Sequence, residues 1–398
     1  MPNYQTDVLL ASAGDVYTQL MDVIKTYIEA RGWTSNLYSD YRFKYAGDDY
    51  VSKRLHAQKT IDSVDRFINI RSMKNQQIFK RTGNDQVSGI GVIGSTDYGD
   101  PTTTTNLTGV TNNGGFAQFS TPSLYAAVGD TVTVAGTGVG AYDTTHTVTS
   151  VLVGSYVVTS TGYVSNPGAV GTIEWPSRWD EMPGNTENGT DTTAQGGGAL
   201  ALPVDNLTYF LFSENSGDNI YLICQNPTGY TGITFGVTSL GNYFVGGANT
   251  IESQDYVSNS LMGSINDSSS KGTLALRKKD DSGWYSWQTN GNLANSNSPV
   301  RMNGTNTAIG NMSILGLLLF CSPDNFKGNN PLIPSYTQIT VASNEYKAAG
   351  VMPGIKYVNM KNMASLTELT FGGDVYKLFR LYNVDDANDS TVGLALLK

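Results

Sequence analysis

The sequence predicts a mainly β protein with a small N-terminal α/β layer, an inserted small β-module and a C-terminal multi-stranded antiparallel β-sandwich or barrel. Three observations lead there. From Leu200 to Lys398, short runs rich in Val, Ile, Tyr, Phe and Trp alternate with clusters of Gly, Asn, Ser and Asp, the pattern of strands closed by turns. One stretch near the start has the period of an amphipathic helix. Between about residues 88 and 172 the composition shifts to Gly, Thr and Val.

The helix comes first in the chain. Val16, Leu20, Val23, Ile24, Tyr27 and Ile28 fall on one face. Ser12, with Asp15 three residues on, predicts a capping box, and Gly32 after Arg31 predicts the stop. Strand runs follow at 33–38 and 66–72, the second alternating Phe67, Asn69 and Arg71 against Ile68 and Ile70. The helix is expected to cover one face of that sheet.

In the module, Gly129-Asp130 precedes alternating Thr131-Val132-Thr133-Val134, and Gly136 to Gly140 turns the chain into strands at 145–153 and 156–161. Thr102 to Thr105 and Asn112-Asn113-Gly114-Gly115 are expected to be its flexible approach. Glu174 to Gly184, dense in aromatics, charge and proline, predicts an ordered connector, and the polar, Gly-rich 185–198 a loop. Strands are then predicted at 209–213, 220–224, 233–237, 243–245, 273–277, 284–287, 314–320, 337–341, 356–360 and 375–381. The implied division is 1–87, 88–175, 176–200 and 201–398, with no strict repeat that would favour a solenoid or propeller.

Charged residues make up 15% of the 398, below the quarter or so usual in soluble domains, so the surface is rich in Ser, Thr, Asn and Gly. Such a surface suits a chain covered by copies of itself or by other subunits. A net charge of −9 argues against nucleic acid, whose phosphates require clustered Lys and Arg. Lys53, Arg54, Lys59, Arg66, Arg71, Lys74, Lys80 and Arg81 form the one basic stretch, read either as a patch for an acidic protein neighbour or as a solvated face around a sheet. Cys224 and Cys321 sit in apolar strand patterns and read as reduced core residues. No apolar run reaches the ~20 residues of a bilayer span and no leader opens the chain. A soluble cytosolic product is therefore expected, in which Asn-x-Ser/Thr triplets carry no glycans.

Catalytic readings are poorly supplied. The only histidines are His56 and His146, too few for multi-histidine metal sites. His146, in a Thr-rich strand, reads as structural, and His56 as a solvated or core residue rather than a base. Asp180/Glu181 and Asp280/Asp281 are candidate glycosidase pairs, but adjacent strand residues point to opposite faces, and Asp280-Asp281-Ser282-Gly283 reads as a hairpin turn. Asp385, Asp386, Asn388 and Asp389 offer oxygen ligands without EF-hand spacing, and read as a loop. Trp284, Tyr285 and Trp287 offer sugar-stacking surface, yet the two tryptophans, three apart, point to opposite strand faces, which favours packing. No catalytic, cofactor or metal residue is assigned, and no enzyme activity is expected.

Trp179-Asp180-Glu181-Met182-Pro183-Gly184, Leu202-Pro203 leading to Tyr209-Phe210-Leu211-Phe212-Ser213, Asn219 to Ile223, and Ile233 to Gly236 resemble a family of virion structural proteins of tailed bacteriophages. Gly354 to Met360, Gly372 to Phe379 and the closing Val392 to Lys398 are similar to the closing pattern of those proteins. Gly129 to Val139 resembles small β-domains that decorate phage surface proteins. The chain departs from the family pattern before Phe235-Gly236, where Ile233-Thr234 stands in place of a frequent His.

That resemblance implies a multi-copy neck, collar or tail subunit packed around the tail axis, without catalytic residues. Its partners would be copies of itself and other virion proteins, among them portal or connector, tail tube or sheath, and fibres. It would be assembled into the virion in the bacterial cytoplasm, with no cofactor, nucleic acid or membrane insertion. Its interface residues would include Lys53, Arg54, Arg66, Arg71, Trp179, Trp284 and Trp287. The second reading is a tail-tip or fibre-associated binder of host glycans, with the inserted module as its recognition device.

Overall fold

The apolar stripe near the N-terminus folds as α1 (Val16–Glu29), burying Val16, Tyr17, Leu20, Met21, Ile24, Tyr27 and Ile28. In this computed structural model the described residues are 3–45, 48–77, 86–95, 102–121, 126, 128–152, 156–176, 197–202, 205–226, 229–237, 243–253, 275–278, 284–289, 332–342, 345–360, 363–380 and 392–398. The helix start differs from the expected capping box. Ser12 belongs to a short 3-10 turn, Ala11–Ala13, and Asp15 is itself the cap, accepting from the Thr18 backbone N–H and hydroxyl, both at 2.9 Å. Such a cap contributes about 1 kcal/mol. Gly32, with φ +82°, ends the element as expected.

Strands are numbered β1 to β24 in chain order. β2 (Thr34–Tyr45), β3 (Asp48–Ile61), β4 (Val64–Gln77), β5 (Gln86–Ser95) and β13 (Gly197–Ala201) form an antiparallel sheet in the order β13-β5-β4-β3-β2. Leu55, Ala57, Ile68, Ile70, Ile90 and Val92 alternate onto one face and join the helix in a common core. The Tyr17 hydroxyl donates to the Leu202 carbonyl at 3.0 Å, and Tyr27 to that of Asn3 at 2.7 Å. Burial pushes both phenols up to about 12.

The far side of this core is one half of a twelve-stranded sheet. Its strands, in spatial order, are β1 (Tyr4–Leu9), β14 (Leu207–Ser213), β15 (Ile220–Asn226), β16 (Gly229–Val237), β17 (Tyr243–Ser253), β18 (Ala275–Lys278), β19 (Trp284–Thr289), β20 (Ile333–Ala342), β21 (Glu345–Asn359), β24 (Val392–Leu397), β23 (Asp374–Arg380) and β22 (Glu368–Phe371). Tyr209, Leu211, Leu222, Cys224, Ile233 and Phe235 face the helix. The alternate residues Phe210, Phe212 and Tyr230 face the other way and meet Phe379 of β23, at 5.5, 5.9 and 5.3 Å between ring centroids. The sheet therefore folds back on itself as a sandwich, with β14–β16 buried on both sides. Double burial explains the unbroken run Leu-Thr-Tyr-Phe-Leu-Phe-Ser, since a strand covered on both faces has no polar alternation.

β6 (Thr102–Asn106), β7 (Gly109–Asn113), β8 (Phe116–Ser120), β9 (Thr131–Ala135), β10 (Thr145–Leu152), β11 (Tyr156–Gly162) and β12 (Thr172–Pro176) form a third sheet, ordered β6-β12-β9-β10-β11-β8-β7. It has its own core, including Val110, Phe119, Val132, Val134, Ile173 and Trp175. The chain leaves the five-stranded sheet at β5 and rejoins it at β13, with Ile93 paired to Gly197. The first and last strands of the seven-stranded sheet also pair, Thr102 opposite Pro176.

The mainly β class holds, with corrections of detail. Thr102–Thr105 is strand β6 rather than a flexible approach, and Asn112 to Gly115 carries β7 into a two-residue hairpin turn, with φ +60° at Gly114 and +92° at Gly115. Gly197-Gly198, read as the end of a loop, open β13. The composition boundaries at 88 and 201 fall inside β5 and β13. Trp175 and Pro176 of the expected connector close β12; residues 177–196, the run at 314–320, Cys321 and both the 280–281 and 385–389 acidic stretches lie outside the described residues.

Candidate functional site

The β3/β4 register sets Arg54 opposite Arg71, His56 opposite Asn69 and Lys59 opposite Arg66. Arg54, Arg66 and Arg71 are 4%, 4% and 1% exposed. They are interior residues of the chain, so the exposed basic patch expected from the sequence is not formed by them. Long strands covered on both faces bury charged side chains that composition alone assigns to the surface. Lys53 is engaged within the chain by Asp40 at 2.6 Å and lies over the Tyr38 ring. Lys59 bonds Asp218 at 2.8 Å and the carbonyls of Arg31 and Ser216 at 2.8 and 2.7 Å, tying the five-stranded sheet to the turn before β15. Trp284 and Trp287 lie in β19, paired with Arg277 and Ile339. Trp179 lies outside the described residues.

Among the described residues, both histidines and Cys224 are built into the interior. His56 is buried. His146 sits in the module core stacked on Phe119, its Nε2 2.7 Å from the Tyr142 carbonyl and its Nδ1 in contact with the Thr161 hydroxyl. A carbonyl only accepts, so Nε2 carries a proton, and Nδ1 is hydrogen-bonded to the Thr161 hydroxyl. Both ring nitrogens are thereby used. Burial pushes the Cys224 thiol well up from its ordinary value, which suppresses the reactive thiolate.

The two ends of the twelve-stranded sheet, which the sequence does not bring together, form the most distinctive surface. Tyr4 of β1 packs on Phe212 and lies beneath Lys377 of β23 and Lys398, at 5.5 and 5.4 Å from its ring centroid. Both lysines reach Glu368 of β22, at 3.8 and 2.8 Å. The Lys398 hydrogen bond holds the Glu368 carboxyl below its usual range, and Glu368 raises Lys398 in return. On the opposite face, Lys356 covers Tyr376 and Phe371. Large apolar side chains also stand in solvent: Val8 of β1 at 48%, Leu10 just after it at 46% and Phe371 of β22 at 46% exposed. The Asp7 carboxylate accepts the Val8 backbone N–H at 2.8 Å, which blunts β1 as a template for strand addition. Patterning gives no signal for this meeting, because it depends on how the sheet folds over.

No protein-family model matches the chain. No curated protein matches it. Among solved structures, it is similar to the phage phi92 endosialidase at 12% identity and a TM-score of 0.24, over 92% of this chain and 58% of that one. The chain thus spans somewhat over half the length of that protein, and at this score the likeness defines no common fold.

Proposed function

We propose that the chain is a non-catalytic structural subunit of a tailed-phage virion, present in several copies as a neck, collar or tail component. The observation that carries this reading is the exposure of Val8 in β1, Leu10 just beyond it and Phe371 in β22, β1 and β22 being the two end strands of one folded-over sheet. Apolar side chains held in solvent on a rigid β framework are what a neighbouring subunit covers. A heterologous contact between this surface and a different face of the next copy generates a ring when the rotation closes. With Asp7 capping the β1 edge, copies join through side-chain packing rather than by continuing the sheet. The low charge content and the resemblance of the 179–236 and 354–398 motifs to phage virion proteins support the same reading.

The test is the solution mass of the full chain at micromolar concentration, by light scattering. A discrete multimer is expected, converted to smaller species by Leu10→Glu or Phe371→Glu with secondary structure retained. A multimer indifferent to both substitutions would show that these ends are not the contact. A monomer that also fails to join purified particles would overturn the subunit reading.

A further inference from the structure

One hairpin of the seven-stranded sheet has a composition and geometry that assembly does not require. Asn113 pairs with Phe116 across the Gly114-Gly115 turn, and Phe116 pairs with Gly162 of β11. In antiparallel ladders directly opposed residues share a face, so Asn113, Phe116 and Gly162 lie in one row, with Thr111 and Gln118 two residues along their strands. This is the face opposite Val110, Ala117 and Phe119, which enter the core. It is covered at Ser120 and Val158, both buried, and opens toward the turn, where Phe116 is 48% exposed.

Beside the ring, Gly162 contributes no side chain, and a Cβ placed there would approach nothing nearer than the Gly115 carbonyl at 3.9 Å. On the other side the Asn113 amide donates to the Gln118 carbonyl oxygen at 2.8 Å. Whichever way the two amides are turned, one carbonyl of the pair and one NH2 are not used in their mutual hydrogen bond. A vicinal diol both donates and accepts, so it fits that couple while the adjacent C–H face of the sugar lies on the ring. The platform is preorganised. Asn112 accepts the Gly115 N–H at 2.8 Å, and the Gly115 carbonyl accepts from Tyr163 N–H at 2.8 Å.

Charge selects among ligands. Residues 101–176 contain no Lys or Arg, and their acidic residues are Asp130, Asp143 and Glu174. An acidic polysaccharide or a phosphate chain would find no counter-charge here. We infer that the Asn113/Phe116/Gln118 face, open over Gly162, binds a neutral saccharide built of hexose or N-acetylhexosamine units. This goes beyond the structural-subunit reading and gives the particle a means of holding a host surface.

The test uses the full chain on a panel of immobilised neutral hexose and N-acetylhexosamine oligosaccharides, set beside uronate-, sialate- and sulfate-bearing chains. Wild type and Phe116→Trp are expected to bind neutral members. Phe116→Ala, which removes the platform, and Gly162→Gln, which fills the open space, are expected to weaken binding at least about tenfold, with the melting temperature unchanged. Failure to bind any neutral member, preference for acidic chains, or wild-type binding by both Phe116→Ala and Gly162→Gln would overturn the assignment. Solution mass measured on the same samples separates the two readings. Lost binding with unchanged mass concerns this face alone, whereas a monomer that fails to join purified particles yet still binds sugar contradicts the subunit reading and leaves this one standing.

Discussion

Replacing Phe379 by Ala tests whether the twelve-stranded sheet closes on itself. The ring is fully buried and meets Phe210, Phe212 and Tyr230 nearly edge-on, at interplanar angles of 71°, 88° and 75°. Truncation of a buried Phe costs about 3–5 kcal/mol, from lost transfer energy plus the cavity left behind. Each edge-to-face contact adds about 0.5–1.5 kcal/mol beyond area burial, and three are lost together, which places the expected cost at the upper end. Against the ~5–15 kcal/mol that holds a typical domain, this is a large fraction. Guanidinium unfolding of the full chain, followed by fluorescence, should show the midpoint falling with little change in slope. In a double-mutant cycle, Phe210→Ala and Phe379→Ala should cost less together than the sum of the single changes, with ~0.5–1.5 kcal/mol of coupling. A cost below about 1 kcal/mol with no coupling would mean that the two ends of the sheet do not pack together.

Gly236 has φ +149°, and a side chain there would run into Asn219 Oδ1 and, at 2.5 Å, the Asp218 carbonyl; Gly236→Ala should therefore cost about 2 kcal/mol or more, and an unchanged melting temperature would contradict this. Asp143 accepts from Thr137 N–H and hydroxyl at 2.8 and 2.7 Å and from Gly138 N–H at 3.2 Å, and its carboxyl is held below the usual range chiefly by the Thr137 hydroxyl. A depressed carboxyl stabilises the fold above its unfolded value near ~4, and that contribution disappears as pH falls through the lower folded value. Below about pH 4, Asp143→Asn should thus lose less stability than wild type; parallel acid melts would refute the assignment. Cys224, in a Cys321→Ser background, should resist a thiol reagent at about pH 8 in the native protein and react fully in denaturant, because burial disfavours the thiolate; fast native reaction would show that the wall between the two cores opens.

What the sequence revealed follows from where periodicity is strong. The helix was legible because six apolar residues share one face, yet its cap shifted from Ser12 to Asp15 because the Gly14 backbone, at φ +134°, separates the 3-10 turn from the helix. Strands β14 to β16 were legible as apolar runs between turns, while their burial on both sides was visible only once Phe379 reached Phe210 from more than 150 residues away. Arg54, Arg66 and Arg71 were misplaced because charge is normally a surface signal, and only the register of β3 with β4 shows them inside. Thr102–Thr105 reads from sequence as a flexible approach to the module because its threonines lack an apolar alternation, although Thr is a good strand former. The Asn113-Gly114-Gly115 turn did carry a hairpin signal, and reading it would have located Phe116 at the tip. The clamp of Tyr4, Glu368, Lys377 and Lys398 joins residues more than 360 positions apart, beyond the reach of local pattern.

Two pairs of neighbouring ends govern how the seven-stranded sheet is attached. Its first and last strands lie side by side, and so do the strands of the body that receive them. A joint of this kind behaves like a bayonet fitting. Any folded unit whose own termini emerge together can be seated in it, lengthened or removed while β5 and β13 keep their register, and the entropy of closing a longer excursion grows only slowly with its length. The five-stranded sheet keeps its own geometry whatever the joint holds, so the seven-stranded sheet can change without disturbing the core beneath α1.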